Sequence, residues 1–183
     1  MATSSSTILS SLSPAAKRLS LEEYLRTSYR PDCEFVDGEI EEKNLGELEH
    51  SILQAALSAW FFNHRTEWRI VVMSEQRTRV SGTRVRLPDV SIVSADAPRE
   101  KVTLTPPLLA IEILSQEDRI HRVLVRLNDF LKMGVENLWL LDPIERSACI
   151  YTRAGLTLAE TTRLTIPGSP IYLDLPEIFS ALD

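Results

Sequence analysis

Two carboxylates in apolar surroundings are the first candidates for chemistry. Asp89 follows Pro88 and is flanked by Leu87 and Val90, and Glu112 lies between Ile111 and Ile113. A buried carboxylate is costly unless it meets a cation or a backbone donor, keeps its proton, or binds a metal. Taken singly, each reads more simply as a structural acid with an arginine or a backbone N–H beside it. Taken together, two acids at the ends of neighbouring strands fit an oxygen-rich Mg²⁺ or Mn²⁺ site better.

The helix expected after Glu112 supplies cations. Arg119, Arg122 and Arg126 are spaced i, i+3, i+7 and share one stripe of that helix. At about 100° per residue, Arg126 falls roughly 40° from Phe130, at the border of the apolar face, within reach of the sheet's end. The plainer reading is a solvated stripe paired with Asp118 and Asp129. His50 stands early on a long helix near Glu47 and Glu49, while His64 and His121 are isolated, and no HExxH or Ser/His/Asp spacing accompanies them. The six glycines form no GxGxxG or phosphate-cradling loop, so no nucleotide cofactor is expected. Cys33 and Cys149 lack CxxC spacing and read as reduced thiols of a cytosolic protein.

Positioning these groups requires strands and helices in alternation. Ser20 and Glu23 have capping-box spacing and predict a short helix from Leu21 to about Arg26. The stretch 33–41 predicts a hairpin around Asp37-Gly38. Leu48, Ile52, Ala55, Ala56, Ala59 and Trp60 recur at helical spacing, so Leu45–His64 is the long helix. Strands are expected at 69–73, 75–80 and 84–93, the last interrupted by Pro88, which implies an edge or a bulge. A connection follows over 94–107, then an apolar strand over 108–114. Asp118–Met133 is amphipathic, with Asp118 as N-cap and Gly134 ending it. A buried strand over 138–141 follows, then short strands and a last helical turn over 148–182. Strands flanked by helices in this order predict an α/β fold with a mixed sheet.

Composition sets the outer limits. The chain has 183 residues, 44% of them apolar and 25% charged, which suits one ordinary globular domain. No apolar run approaches the roughly 20 residues that span a bilayer, so no membrane partner is expected. A net charge of −6 argues against a non-specific nucleic-acid coat protein, but leaves room for a local basic face. Residues 1–18 are Ser-rich, lack the features of a secretory signal, and read as a flexible tail ahead of a domain over 19–183.

Several stretches together resemble the Uma2 family, within the PD-(D/E)XK nuclease superfamily. They are LSLEEYL (19–25), CEFVDGEI (33–40), His50, EQRTRV (75–80), RLPDVSIV (86–93), AIEILS (110–115), DRIHRVLVRLNDFLKMGVENLWLLDP (118–143) and LDLPEIF (173–179). No piece is specific alone. The combination is: PDV, then ExLS about twenty residues on, then a helix ending in GV and a strand ending in DP.

The resemblance implies a restriction-endonuclease-like core, a mixed sheet flanked by helices. It implies that Asp89 is the acid of the PD motif and Glu112 that of the (D/E)XK motif, together holding Mg²⁺ or Mn²⁺. The superfamily lysine would fall at Leu114; in this family it has moved to the following helix, at the position of Arg126. Glu34 matches a further family acid. Arginine stays charged and is a poor general base, so activity weaker than that of a lysine-bearing relative is expected. The leading expectation is a Mg²⁺-dependent endonuclease acting on DNA in the cytoplasm, with Arg119, Arg122 and Arg126 on the phosphate backbone. The alternative is a degenerate nuclease fold that binds nucleic acid or protein without cutting. A homodimer stays open.

Overall fold

A computed structural model describes residues 18–43, 47–115 and 120–183. Four helices, α1 (Leu21–Arg26), α2 (Leu48–Trp68), α3 (Ile120–Met133) and α4 (Leu175–Ser180), surround twelve short strands in this described part. The first six strands are β1 (Cys33–Val36), β2 (Glu39–Glu42), β3 (Ile70–Ser74), β4 (Thr78–Arg79), β5 (Arg84–Arg86) and β6 (Val90–Ser94). The rest are β7 (Leu109–Ile113), β8 (Leu138–Asp142), β9 (Ser147–Thr152), β10 (Gly155–Leu158), β11 (Arg163–Thr165) and β12 (Tyr172–Asp174).

A six-stranded sheet in the order β10-β9-β8-β7-β6-β3 forms the centre. Its β7–β8 pair is parallel, joined through α3, and its other pairs are antiparallel. A four-stranded sheet, β2-β1-β5-β4, stands beside it, and β11 pairs with β12. The mixed α/β architecture expected from the sequence is the one observed. No helix among the described residues is long and apolar enough to cross a membrane.

Helices cover both faces of the central sheet. Leu53, Leu57, Trp60 and Phe61 of α2 pack with Val90, Ile92, Leu109, Ile111 and Ile113 on one side. Val123, Leu127 and Phe130 of α3 pack with Ala110, Leu138 and Leu140 on the other. Alternation along β7 therefore sends Ile111 and Ile113 towards α2, and Ala110 and Glu112 towards α3. Burying each large apolar side chain contributes about 1.5–3 kcal/mol, and the two faces together fix β7 at the centre.

Local signals explain the element ends. The Ser20–Glu23 capping box forms in full, and Asp37 and Gly38 take φ of 51° and 97° in the β1–β2 turn, the backbone a tight hairpin requires. Gly134, at φ 108°, terminates α3, with the Val135 amide reaching back to the Phe130 carbonyl. Three expected boundaries move. The long helix is Leu48–Trp68 rather than 45–64, because it continues until Trp68 is buried and Arg69 turns left-handed at φ 52°. The strand expected over 75–80 shrinks to Thr78–Arg79. The strand expected over 84–93 is two strands in different sheets, since Pro88 has no amide to continue the ladder. Asp118, the expected N-cap of α3, lies outside the described residues.

Candidate active site

The break at Pro88 and the end of β7 bring the two acids together. β6 and β7 pair as Val90↔Ile111, Ser91↔Ala110 and Ile92↔Leu109, so one step further Asp89 stands opposite Glu112. Directly opposed residues of an antiparallel pair project to the same face. The Ile113 amide donates to Asp89 Oδ2 at 2.7 Å, which clamps the Asp89 carboxylate beside the Glu112 backbone. Both residues are buried, Asp89 at 1% exposure and Glu112 at 0%.

Their surroundings differ. Lys43, just past β2, donates to Asp89 Oδ1 at 2.6 Å and to the Leu87 carbonyl at 2.8 Å. His50 Nε2 on the first turn of α2 lies 3.4 Å from Asp89 Oδ2, and Gln54, one turn on, donates to the Asp89 carbonyl. Burial alone would raise the Asp89 pKa, but the Lys43 charge and the His50 and Lys43 hydrogen bonds hold it well below the usual carboxylate range. The same pairing holds Lys43 above its ordinary value, although burial opposes this.

Glu112 has no such shell. Arg126 Nε of α3 stands 3.2 Å from Glu112 Oε2, yet neither carboxylate oxygen of Glu112 has a hydrogen-bond partner among the described residues. Burial pushes its pKa up to about 8, against the pull of Arg126, with the nearby Asp89 charge adding to the rise. One acid is thus held ionised and the other tends to keep its proton, the kind of divergence that marks candidate functional sites.

Glu34 grips the chain just ahead of Asp89. Its Oε2 accepts from Arg86 at 2.6 Å and its Oε1 from the Leu87 amide at 3.0 Å. Arg86 is itself buried and also donates to Asp129 of α3 at 2.9 Å. This network ties β1, β5 and α3 together and fixes residues 86–87, which lead into the Pro88-Asp89 turn. Among the described residues, Asp129 is engaged by Arg84 and Arg86.

A cavity of about 580 Å³ opens on the α3 side, lined among others by Glu34, Arg84, Arg86, His121, Arg122 and Arg126. Arg84 and Arg86 are committed to carboxylates. Arg122 is exposed, makes no ion pair among the described residues, and brings its charge to this opening. Arg119, the first residue of the sequence stripe, lies outside the described residues. No group of three or more His, Cys, Asp or Glu side chains gathers for a metal among those residues.

A model of the Uma2 family, described as "putative restriction endonuclease", matches residues 21–179. The chain belongs to the Uma2 family. Among solved structures, a "putative nuclease belonging to DUF820" from Anabaena variabilis superposes with a TM-score of 0.79 at 24% identity, covering 90% of this chain and 99% of that one. At that identity the likeness speaks for the fold. No curated protein matches the chain.

The structure thus brings together Asp89, Glu112 and Arg126, with Arg122 on the rim and Glu34 behind. Sequence reasoning missed Lys43 altogether and set His50 aside. Lys43 carried one faint signal: it is one of four lysines against sixteen arginines, and it follows a run of acids in a strand. His50 was signalled only by its place at the start of α2 within the family pattern.

Proposed function

We propose that the chain is a metal-dependent endonuclease that hydrolyses DNA phosphodiester bonds, with Asp89 and Glu112 holding Mg²⁺ or Mn²⁺. The observation that carries this reading is Glu112: two buried carboxylate oxygens without hydrogen bonds among the described residues, opposite Asp89, and 3.2 Å from Arg126, which lines a cavity together with Arg84, Arg86, Arg122, Glu34, Glu41 and Glu42. A donor set of two carboxylates fits Mg²⁺, which keeps several waters and takes the rest of its ligands from phosphate. When bound, the cation would acidify a water and neutralise charge on the attacked phosphate. The protein's own groups do the remainder. His50, Lys43 and the Ile113 amide fix the Asp89 carboxylate, and Glu34 with Arg86 holds the strand end that carries it. Arg126 meets the phosphate, and Arg122, with Arg119, holds the flanking backbone. Arg126 cannot give up its proton at working pH, so turnover is slow relative to a relative with lysine there. The free thiols Cys33 and Cys149 suit work in the reducing cytoplasm.

One observation favours a second reading, a nuclease fold that binds without cutting. Lys43 and Arg126 already stand beside the two carboxylates, where a divalent cation would have to sit. A cleavage assay titrated with Mg²⁺ and Mn²⁺ on mixed DNA and RNA substrates separates the two. Cleavage of DNA that needs metal and disappears in Asp89→Asn and Glu112→Gln supports the enzyme. Binding without cleavage under every metal supports the module.

A further inference from the structure

Lys43 is a nearly buried cation pressed against Asp89. Its side chain is 9% exposed, and its ammonium lies 2.6 Å from Asp89 Oδ1. The other Asp89 oxygen, Oδ2, already takes the Ile113 amide at 2.7 Å and faces His50 Nε2 at 3.4 Å. The oxygen left to offer a metal ion is thus the one Lys43 holds. On the outer side of Lys43, Glu75 Oε1 stands 3.7 Å from the same ammonium, in a side chain 38% exposed. The ammonium has a second carboxylate to turn to.

We propose that Lys43 is the resting counter-ion of the site: its ammonium stands in for the divalent cation on Asp89, and the cation enters by taking Oδ1 from it while Lys43 swings towards Glu75. The inference rests on the reading of Asp89 and Glu112 as the metal-holding pair. Charge counting supports it. Two carboxylates face two cations, Lys43 and Arg126, so a divalent ion added with nothing displaced would leave buried positive charge uncompensated. Displacement of Lys43 towards solvent, or entry of a phosphate, relieves that excess. The metal-free protein is therefore held in order by its own lysine, and free metal binds weakly until substrate phosphate arrives.

The test is Mn²⁺ binding to the full chain without nucleic acid, followed by electron paramagnetic resonance of the free ion. Parent, Lys43→Met, Lys43→Gln and Lys101→Met are compared at one pH. Lys101→Met removes the same charge from an exposed position. Lys43→Met and Lys43→Gln should each bind Mn²⁺ at least tenfold tighter than parent, with Lys101→Met unchanged. Their metal-free melting temperatures should fall and recover on adding Mn²⁺. Equal or weaker affinity in the Lys43 variants, with the parent binding normally, overturns the inference and leaves the metal site standing. A gain that Lys101→Met reproduces also overturns it. Absence of Mn²⁺ binding in parent and variants alike overturns the metal reading itself.

Should the Lys43 variants fail to fold, the parent answers alone. With only four lysines in the chain, the ¹⁵Nζ resonance of Lys43 is identified by replacing the other three with arginine. Mg²⁺ addition should shift that resonance along the binding curve. A resonance unmoved while Mg²⁺ binds overturns the displacement.

Discussion

Replacing Glu112 by Gln tests the state of the site without metal, because glutamine reproduces the shape of the protonated acid. Burial pushes the Glu112 pKa from 4.5 to about 8. The folded protein then holds a proton that the unfolded chain releases above about 4.5, and stability falls as pH rises through this window. At about 1.36 kcal/mol per pH unit, the parent loses on the order of 3 kcal/mol between pH 5 and 7.5. The variant has no proton to lose at this position. Near pH 5 the two proteins should be equally stable, since each presents a neutral group to Arg126. Near pH 7.5 Glu112→Gln should be the more stable by roughly 3 kcal/mol. Urea unfolding at pH 5, 6.5 and 7.5 in the presence of a chelator measures this, and taking the difference between proteins cancels every other titrating group. Parallel pH profiles, or a variant destabilised by several kcal/mol at pH 7.5, would mean that Arg126 keeps Glu112 ionised and that the pair is a structural ion pair.

Other outcomes follow from the same geometry. Mg²⁺ should raise the melting temperature more at pH 8.5 than at pH 6, because at the lower pH binding must first remove the Glu112 proton. Arg126→Lys should increase any Mg²⁺-dependent cleavage rate, lysine being the residue that the family resemblance implies at this position; a rate unchanged or lowered would deny Arg126 that part. Simultaneous Ala substitution of Arg119, Arg122 and Arg126 should weaken DNA binding and flatten the log–log salt dependence by about 0.9 for each phosphate left without a cation, and an unchanged slope would mark the stripe as a solvated helix face. Arg86→Met should destabilise the fold by about 3–5 kcal/mol in urea unfolding, since it leaves Glu34 and Asp129 buried without their shared cation.

Which parts of this were open to sequence reading follows from the range of the forces involved. The Ser20 capping box, the Asp37-Gly38 turn and the Gly134 stop are set by groups a few residues apart, and each formed where the spacing predicts. The apolar stripe of α3 and the uninterrupted apolar strand β7 are periodicities, so the α/β character followed. The bounds of β4 and β6 did not, because which sheet a short strand joins depends on partners elsewhere. Pro88 announced a disturbance in the stretch 84–93 without saying that the chain leaves one sheet and enters another there.

The site divides along the same line. Asp89 and Glu112 stood out because a charge in an apolar strand is locally anomalous, and opposition of the two follows once β6 and β7 pair. The ionic partners are different in kind. Lys43 reaches Asp89 across 46 positions of sequence, and Arg86 reaches Glu34 across 52, and no local pattern encodes either pairing. Those partners decide the electrostatics. With Lys43 hydrogen-bonded to Asp89 and not to Glu112, and His50 also beside Asp89, one acid stays ionised and the other rises towards neutral pH, although both looked alike in the sequence. A pair of bare acids would repel and gain from any cation. This pair begins with a cation beside each acid, so on the proposed metal reading affinity would depend on what the incoming ion displaces, the lysine after β2 as much as the carboxylates.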